Sequence, residues 1–228
     1  MRIRSFIIAY ALVLAILLFA DRRPGPAQED RYSRVVDLTA GETATVSRTS
    51  MPESRTHIIA PGALIPGTWT AGQIPPQRLI APLVVMDLSV RNTLADGSAQ
   101  ISLDDIAAWE SHNGMIPQGA VVAIRRVGSS ENLSDNLSMD MLTPFPIAHD
   151  AAMFLIEARN TIGFAVETPV NFTFDRTLAQ QLALHGNYVL EGAERFTSLP
   201  ATGSLIIVAP AKDKKPGSGA VRILAMVR

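Results

Sequence analysis

The chain has 228 residues, no cysteine, four histidines, 18% charged residues and a formal net charge of −1. That length buries one sizeable core or two small ones, and the lack of cysteine excludes thiolate catalysis, cysteine-ligated zinc, iron–sulfur clusters and disulfides. The near-neutral balance leaves no electrostatic footprint for nucleic acid, and with so few imidazoles each histidine has to be placed before any metal site is considered.

Arg2 and Arg4 precede an unbroken apolar run from Phe6 to Ala20, followed at once by Asp21-Arg22-Arg23-Pro24-Gly25-Pro26. A basic start, an apolar stretch and a polar Pro/Gly segment form the pattern of a secretory signal. The run is shorter than the ~20 apolar residues of a typical spanning helix. Contact with a membrane is therefore expected only through residues 5–20, and only if they stay uncleaved. The expectation is an exported protein, periplasmic or secreted: residues 1–20 as signal or anchor, 21–34 as a polar, Pro-rich linker, and 35–228 as the folded domain.

Val35 to Thr39 reads as a short strand. Gly62 to Pro76 holds Pro66-Gly67, Gly72 and Pro75-Pro76, which predicts a long irregular stretch. Leu83 to Leu88 is a continuous apolar run, as in a strand covered on both faces. Ser102 to His112 reads as a helix, with Ser102 as N-cap, Asp105 three residues on, and Gly114 as its stop. Ala120 to Ile124 is a second covered strand. A helix follows over 150–160, with Met153, Phe154 and Ile156 expected inward, and then a strand over Gly163 to Val166. Residues 176–185 form another helix, and Tyr188 to Glu191 and Leu205 to Pro210 are strands. Lys212 to Gly219 reads as a basic, Gly-rich loop before a last strand, Val221 to Val227. Mixed strands and helices with no internal repeat predict a single α/β domain.

The segment Thr56-His57-Ile58-Ile59-Ala60-Pro61, with Ile65-Pro66-Gly67-Thr68-Trp69-Thr70 and Pro82 to Ser89 behind it, resembles the cyclase / kynurenine formamidase family, which includes isatin hydrolases. Val36-Asp37-Leu38-Thr39, Pro117-x-Gly119-x-Val121-Val122, Gly163 to Pro169, Tyr188 to Gly192, Val208-Ala209-Pro210 and Gly217 to Arg222 match further family landmarks in the same order. The resemblance covers residues 35–228. It implies a mixed β-sheet, barrel-like core with outer helices, a homodimer, and metal-dependent hydrolysis of amide or lactam-like bonds.

The family signature is His-x-Gly-Thr-His-x-Asp-x-Pro-x-His, followed by a His and a Glu in the C-terminal third. A divalent ion held by neutral nitrogens and a carboxylate stays Lewis-acidic enough to activate water. Laid on this chain, the signature keeps His57 and Glu191, places Glu53 at its first His, and falls on Ile59, Ala63 and Ala179 at the other three ligand positions. At most His57, Glu53 and Glu191 could face one ion. One imidazole with two carboxylates is a harder set than the family's and suits manganese or magnesium better than zinc. The expectation is an eroded metal site with no assigned catalytic residue and no cofactor, in a protein that binds a small aromatic or acyl-amide ligand, or a protein partner, without turnover. Two alternatives stay open. One is a working amidohydrolase using a single zinc or manganese ion at those three residues. The other is a membrane-tethered scaffold for a catalytic paralogue.

The remaining histidines have plainer roles. His112 and His185 sit at expected helix ends, where an imidazole complements the dipole, and His149 stands at a helix start. Trp69 resembles an aromatic that lines the family's pocket, with simple packing as the other account. The Gly217-Ser218-Gly219 loop lacks phosphate-loop spacing and reads as a solvated turn. Asn132, Asn136 and Asn171 match glycosylation acceptors.

Overall fold

The computed structural model describes residues 32–41, 56–88, 100–125, 144–170, 172–173, 175–212 and 218–228, with Ser218 described by its backbone only. The expected signal or anchor, Glu53, and all three candidate glycosylation sites lie outside these residues. Among the described residues no helix is long and apolar enough to cross a membrane.

Residues from Tyr32 onward fold as one compact unit. The strands are β1 (Arg34–Asp37), β2 (His57–Ile59), β3 (Ile80–Asp87), β4 (Val121–Arg125), β5 (Gly163–Val166), β6 (Tyr188–Glu191), β7 (Ser204–Pro210) and β8 (Ser218–Val227). The helices are α1 (Pro61–Leu64), α2 (Leu103–Asn113), α3 (His149–Arg159) and α4 (Arg176–Leu184). Strands β3, β4, β5 and β6 pair in parallel, and every other pairing is antiparallel. The order β8-β2-β6-β5-β4-β3-β7 returns to β8, so seven strands close a mixed barrel, and β1 extends it beside the far end of β8. The barrel-like core expected from the resemblance is a closed barrel.

Alternation along the strands divides the apolar residues between two cores. Ile58, Leu83, Val85, Val121, Ala123, Ala165, Leu190 and Ile223 fill the barrel. Val84, Met86, Val122, Ile124, Phe164, Val166 and Val189 point outward and pack beneath α2, α3 and α4. Being covered on both faces is why the parallel strands read as unbroken apolar runs. Tyr188 is fully buried in the barrel core and donates its hydroxyl to the Arg78 carbonyl at 2.8 Å. Burial pushes its phenol pKa well up. Gly163 makes room for that ring, since a Cβ there would lie 2.6 Å from it.

The helix starts follow capping chemistry. Ser102 Oγ accepts from the Asp105 N–H at 3.3 Å, and Asp105 Oδ2 accepts from the Ser102 N–H at 2.7 Å, closing the expected box. The inward face of α3 differs from expectation. Ala151, Ala152, Leu155 and Ile156 are buried, whereas Met153 and Phe154 lie at its margin, and Phe154 stacks under the Arg159 guanidinium at 4.7 Å. Small alanines let the helix backbone approach the sheet, which a phenylalanine in their place would prevent. The Gly62–Pro76 stretch is also less irregular than predicted. Pro61 starts the short α1, and single 3-10 turns form at Ala71–Gln73 and Pro76–Arg78.

Glu110 of α2 takes a two-pronged contact from Arg159 of α3, Oε1 from Nε at 2.7 Å and Oε2 from Nη2 at 2.8 Å, and Oε1 also accepts from the Ile116 N–H. The Arg159 hydrogen bonds, with help from Ile116, hold the Glu110 carboxyl below its ordinary value of 4.5 against the opposing effect of burial. A depressed carboxyl contributes stability above that ordinary value and loses it as pH falls through the depressed one. Glu110→Gln should therefore cost about 2 kcal/mol at pH 7. In thermal melts the gap from the parent should close as pH drops below 4.5.

Candidate functional site

The carboxyl ends of the parallel strands β3 to β6 share one end of the barrel, the position where ligands bind in α/β sheets. Strand β2 runs antiparallel to β6, which brings its first residue to that same end. His57 pairs directly opposite Glu191, Ile58 opposite Leu190 and Ile59 opposite Val189. Residues directly opposed on antiparallel strands put their side chains on one face with Cβ atoms ~5 Å apart. Because Ile58 and Leu190 point into the barrel, His57, Ile59, Val189 and Glu191 all face outward. On the inward parity at the same end, Asp87 and Arg125 occupy paired positions and form an ion pair.

Three hydrogen bonds fix this corner. Thr56 is fully buried, and its hydroxyl donates to the Gly192 carbonyl and accepts from the Ala40 N–H, both at 2.8 Å. Glu191 Oε1 accepts from the Val170 N–H at 2.8 Å. Burial raises the Glu191 carboxyl pKa, and the Val170 hydrogen bond only partly offsets it.

The structure thus brings together two of the sequence-predicted metal residues, His57 and Glu191, while Glu53 lies outside the described residues. Ile59, on which the signature's Asp falls, shares their face and packs against the outer apolar core. Ala63 is exposed on α1, and Ala179 is buried on α4. A catalytic zinc takes three protein ligands. The described donors at this face number two, one already holding a backbone N–H, so they do not by themselves make a metal site. Among the described residues no group of three or more His, Asp or Glu is placed to share an ion.

The other histidines stand apart. His112 Nδ1 lies 2.7 Å from the Ala108 carbonyl in its own helix, and His185 is the exposed C-cap of α4. His149 does more than begin a helix: its Nδ1 meets Asp175 Oδ2 at 2.8 Å. Trp69 packs on Gly186, where a Cβ would lie 2.8 Å from the ring, with the Arg78 guanidinium 5.6 Å from the ring centroid. Ser218 and Gly219 are not a turn. They form the start of β8, paired with Ile59 and Ile58, because the free edge of β2 takes their backbone groups.

One cavity had no counterpart in the sequence reading. An open pocket of ≈ 370 Å³ lies against α4 and the end of α1, lined among the described residues by Leu64, Phe172, Thr173, Arg176, Ala179 and Gln180. The available signal was the helical spacing of Arg176, Ala179 and Gln180, which places all three on one face. Nothing in that spacing shows that α1 leaves the face open.

A family model described as "Putative cyclase" matches residues 24–171, and the chain belongs to that cyclase family. Isatin hydrolase of Roseibium aggregatum is 28% identical over 163 residues, a match covering 66% of this chain and 61% of the relative, less than two thirds of its length. The solved structure of isatin hydrolase A from Labrenzia aggregata bound to benzyl benzoate superposes with a TM-score of 0.67 at 26% identity, covering 85% of this chain and 93% of that one. A structure titled "Potential Metal-Dependent Hydrolase With Cyclase Activity" has a TM-score of 0.63 at 22% identity, covering 86% of this chain and 98% of that one, and bears on the fold alone. The family and the barrel fold expected from the sequence motifs are thereby established, and the fold is that of isatin hydrolase-like proteins.

Two measurements check this geometry. Thr56→Val keeps the volume but strands a buried N–H and a carbonyl, and should cost about 2 kcal/mol in denaturant unfolding. Glu191→Gln removes a carboxyl whose raised pKa favours the neutral form in the fold. The stability Glu191 contributes is full below the ordinary value of 4.5 and falls as pH rises through the raised one. The melting temperature of Glu191→Gln should therefore gain on the parent between pH 4 and pH 7, and a constant difference would contradict the burial argument.

Proposed function

We propose that this chain is an exported cyclase-family protein whose metal site is eroded and which binds a small aromatic or acyl-amide ligand without turning it over. The observation that carries the reading is Ile59. On the outward face beside His57 and Glu191, it brings a branched apolar side chain to the position where the signature calls for a carboxylate. Neither Ile59 nor Ala179 offers a lone pair. The relatives named for isatin hydrolysis, one of them bound to benzyl benzoate, support an aromatic ligand of similar size. The apolar run at 6–20 supports export, and the family resemblance supports a homodimer.

A second reading is favoured by one specific feature, the direct pairing of His57 with Glu191. With Glu53 as a third donor, these residues would hold a single manganese, magnesium or zinc ion and leave open positions on it. Such an ion would supply Lewis acidity for hydrolysing an amide or lactam. His57 would hold it through a neutral nitrogen, and Glu191 would lend it a carboxylate oxygen.

Elemental analysis of protein purified without chelator separates the two. The eroded-site reading expects zinc and manganese far below one per chain, and isatin or aryl-formamide hydrolysis at the buffer rate. One tightly bound ion per chain that disappears in His57→Ala, together with chelator-sensitive hydrolysis, would establish the second reading instead.

A further inference from the structure

We infer that the pocket beside α4 receives a small carboxylate with a ring-sized apolar body, anchored by Arg176 and Gln180. The inference rests on the reading that this chain binds a small ligand, and it assigns that ligand a charge and a seat. Arg176, Ala179 and Gln180 fall at i, i+3 and i+4 on α4 and line the pocket together. Leu178 and Leu182 turn the helix's other face into the outer core. Ala179 gives the pocket its depth, because its methyl is the whole side chain at the centre of that face. The position is the one where the family signature would place an imidazole, which would fill the space.

The apolar wall is held rigidly. Phe172 stacks on Phe145 at 5.6 Å and 31°, and Phe145 meets the fully buried Phe164 edge-on at 5.4 Å. Leu64 from the end of α1 is the other large apolar residue among the described lining. A flat ring of benzene size fits such a space, and 370 Å³ is at the small end for ligand pockets.

The charge follows from what surrounds Arg176. It is exposed and makes no ion pair among the described residues, and none of the described residues lining the pocket is acidic. Its neighbour Asp175 is committed elsewhere. Oδ1 accepts from the Leu178 N–H and Oδ2 meets His149 Nδ1, both at 2.8 Å, and Asp175 lines a different cavity of ≈ 250 Å³ together with His149. Arg176 also stands in the first turn of α4, where the helix dipole is already positive, so the two fields add. Gln180, one turn along, offers an amide N–H to the second carboxylate oxygen or to a ring substituent.

The test uses benzoate and its neutral isostere benzamide as probes on the full chain, with binding followed by ligand-observed NMR. Benzoate should bind at least tenfold more tightly than benzamide, and Arg176→Gln should remove that advantage while leaving benzamide and the melting temperature unchanged. Raising salt should weaken benzoate only. Ala179→Phe, which fills the pocket, should abolish both. If both probes bind equally and Arg176→Gln changes neither, the anion anchor is refuted while the ligand-binding reading stands. If Ala179→Phe leaves benzoate binding intact, the pocket is misassigned. Failure of both probes to bind the parent protein at 10 mM overturns this inference and the ligand-binding reading together.

Discussion

Strand β2 is three residues long, yet the barrel closes through it, since it lies between β6 on one edge and β8 on the other. Its register is set first by one buried side chain. Ile58 is fully buried in the barrel, and a slip of one residue would turn it outward and drive His57 and Ile59 into the apolar interior. An imidazole placed there without a partner would cost several kcal/mol. Thr56 adds a second lock by tying the entry of β2 to Gly192 at the exit of β6. With the register fixed, the pairing of His57 with Glu191 follows without any direct selection on that contact.

The same register separates what holds the fold from what makes the site. Ile58, Tyr188 and Leu190 face the barrel and carry its closure, while His57, Ile59 and Glu191 face away from it. A change on the outer face therefore leaves the barrel core intact. Fold and chemistry are carried by opposite faces of the same two strands. The α4 face works similarly, with leucines anchoring the helix on one side while Arg176, Ala179 and Gln180 line an open pocket on the other.

Local chemistry made much of the fold legible. The Ser102–Asp105 capping box, the unbroken apolar runs of β3 and β4, and the Gly114 stop each specify a conformation from neighbouring residues alone. Elsewhere the local signal misled. Prolines and glycines over 62–76 read as breakers, yet Pro61 and Pro76 begin helical turns, because a missing N–H is harmless in a first turn. Gly217 to Gly219 read as a turn, yet Ser218 and Gly219 extend a strand whose partner lies about 160 residues away in the chain. On α3, hydrophobicity favoured Met153 and Phe154, but the distance to the sheet favoured Ala151 and Ala152.

The sequence by itself determined the residue types: it supplies His57 and Glu191, and it places apolar Ile59, Ala63 and Ala179, whose side chains carry no lone pair. It also determined the family, through landmarks whose order survives in one dimension. Only the tertiary structure decided that His57 and Glu191 face each other, that Ile59 shares their surface, and that Ala179 lies in a cavity beside Arg176, which makes no ion pair among the described residues. Those facts depend on strand register and helix docking. Contacts between residues far apart in the chain set both, and no local pattern encodes them.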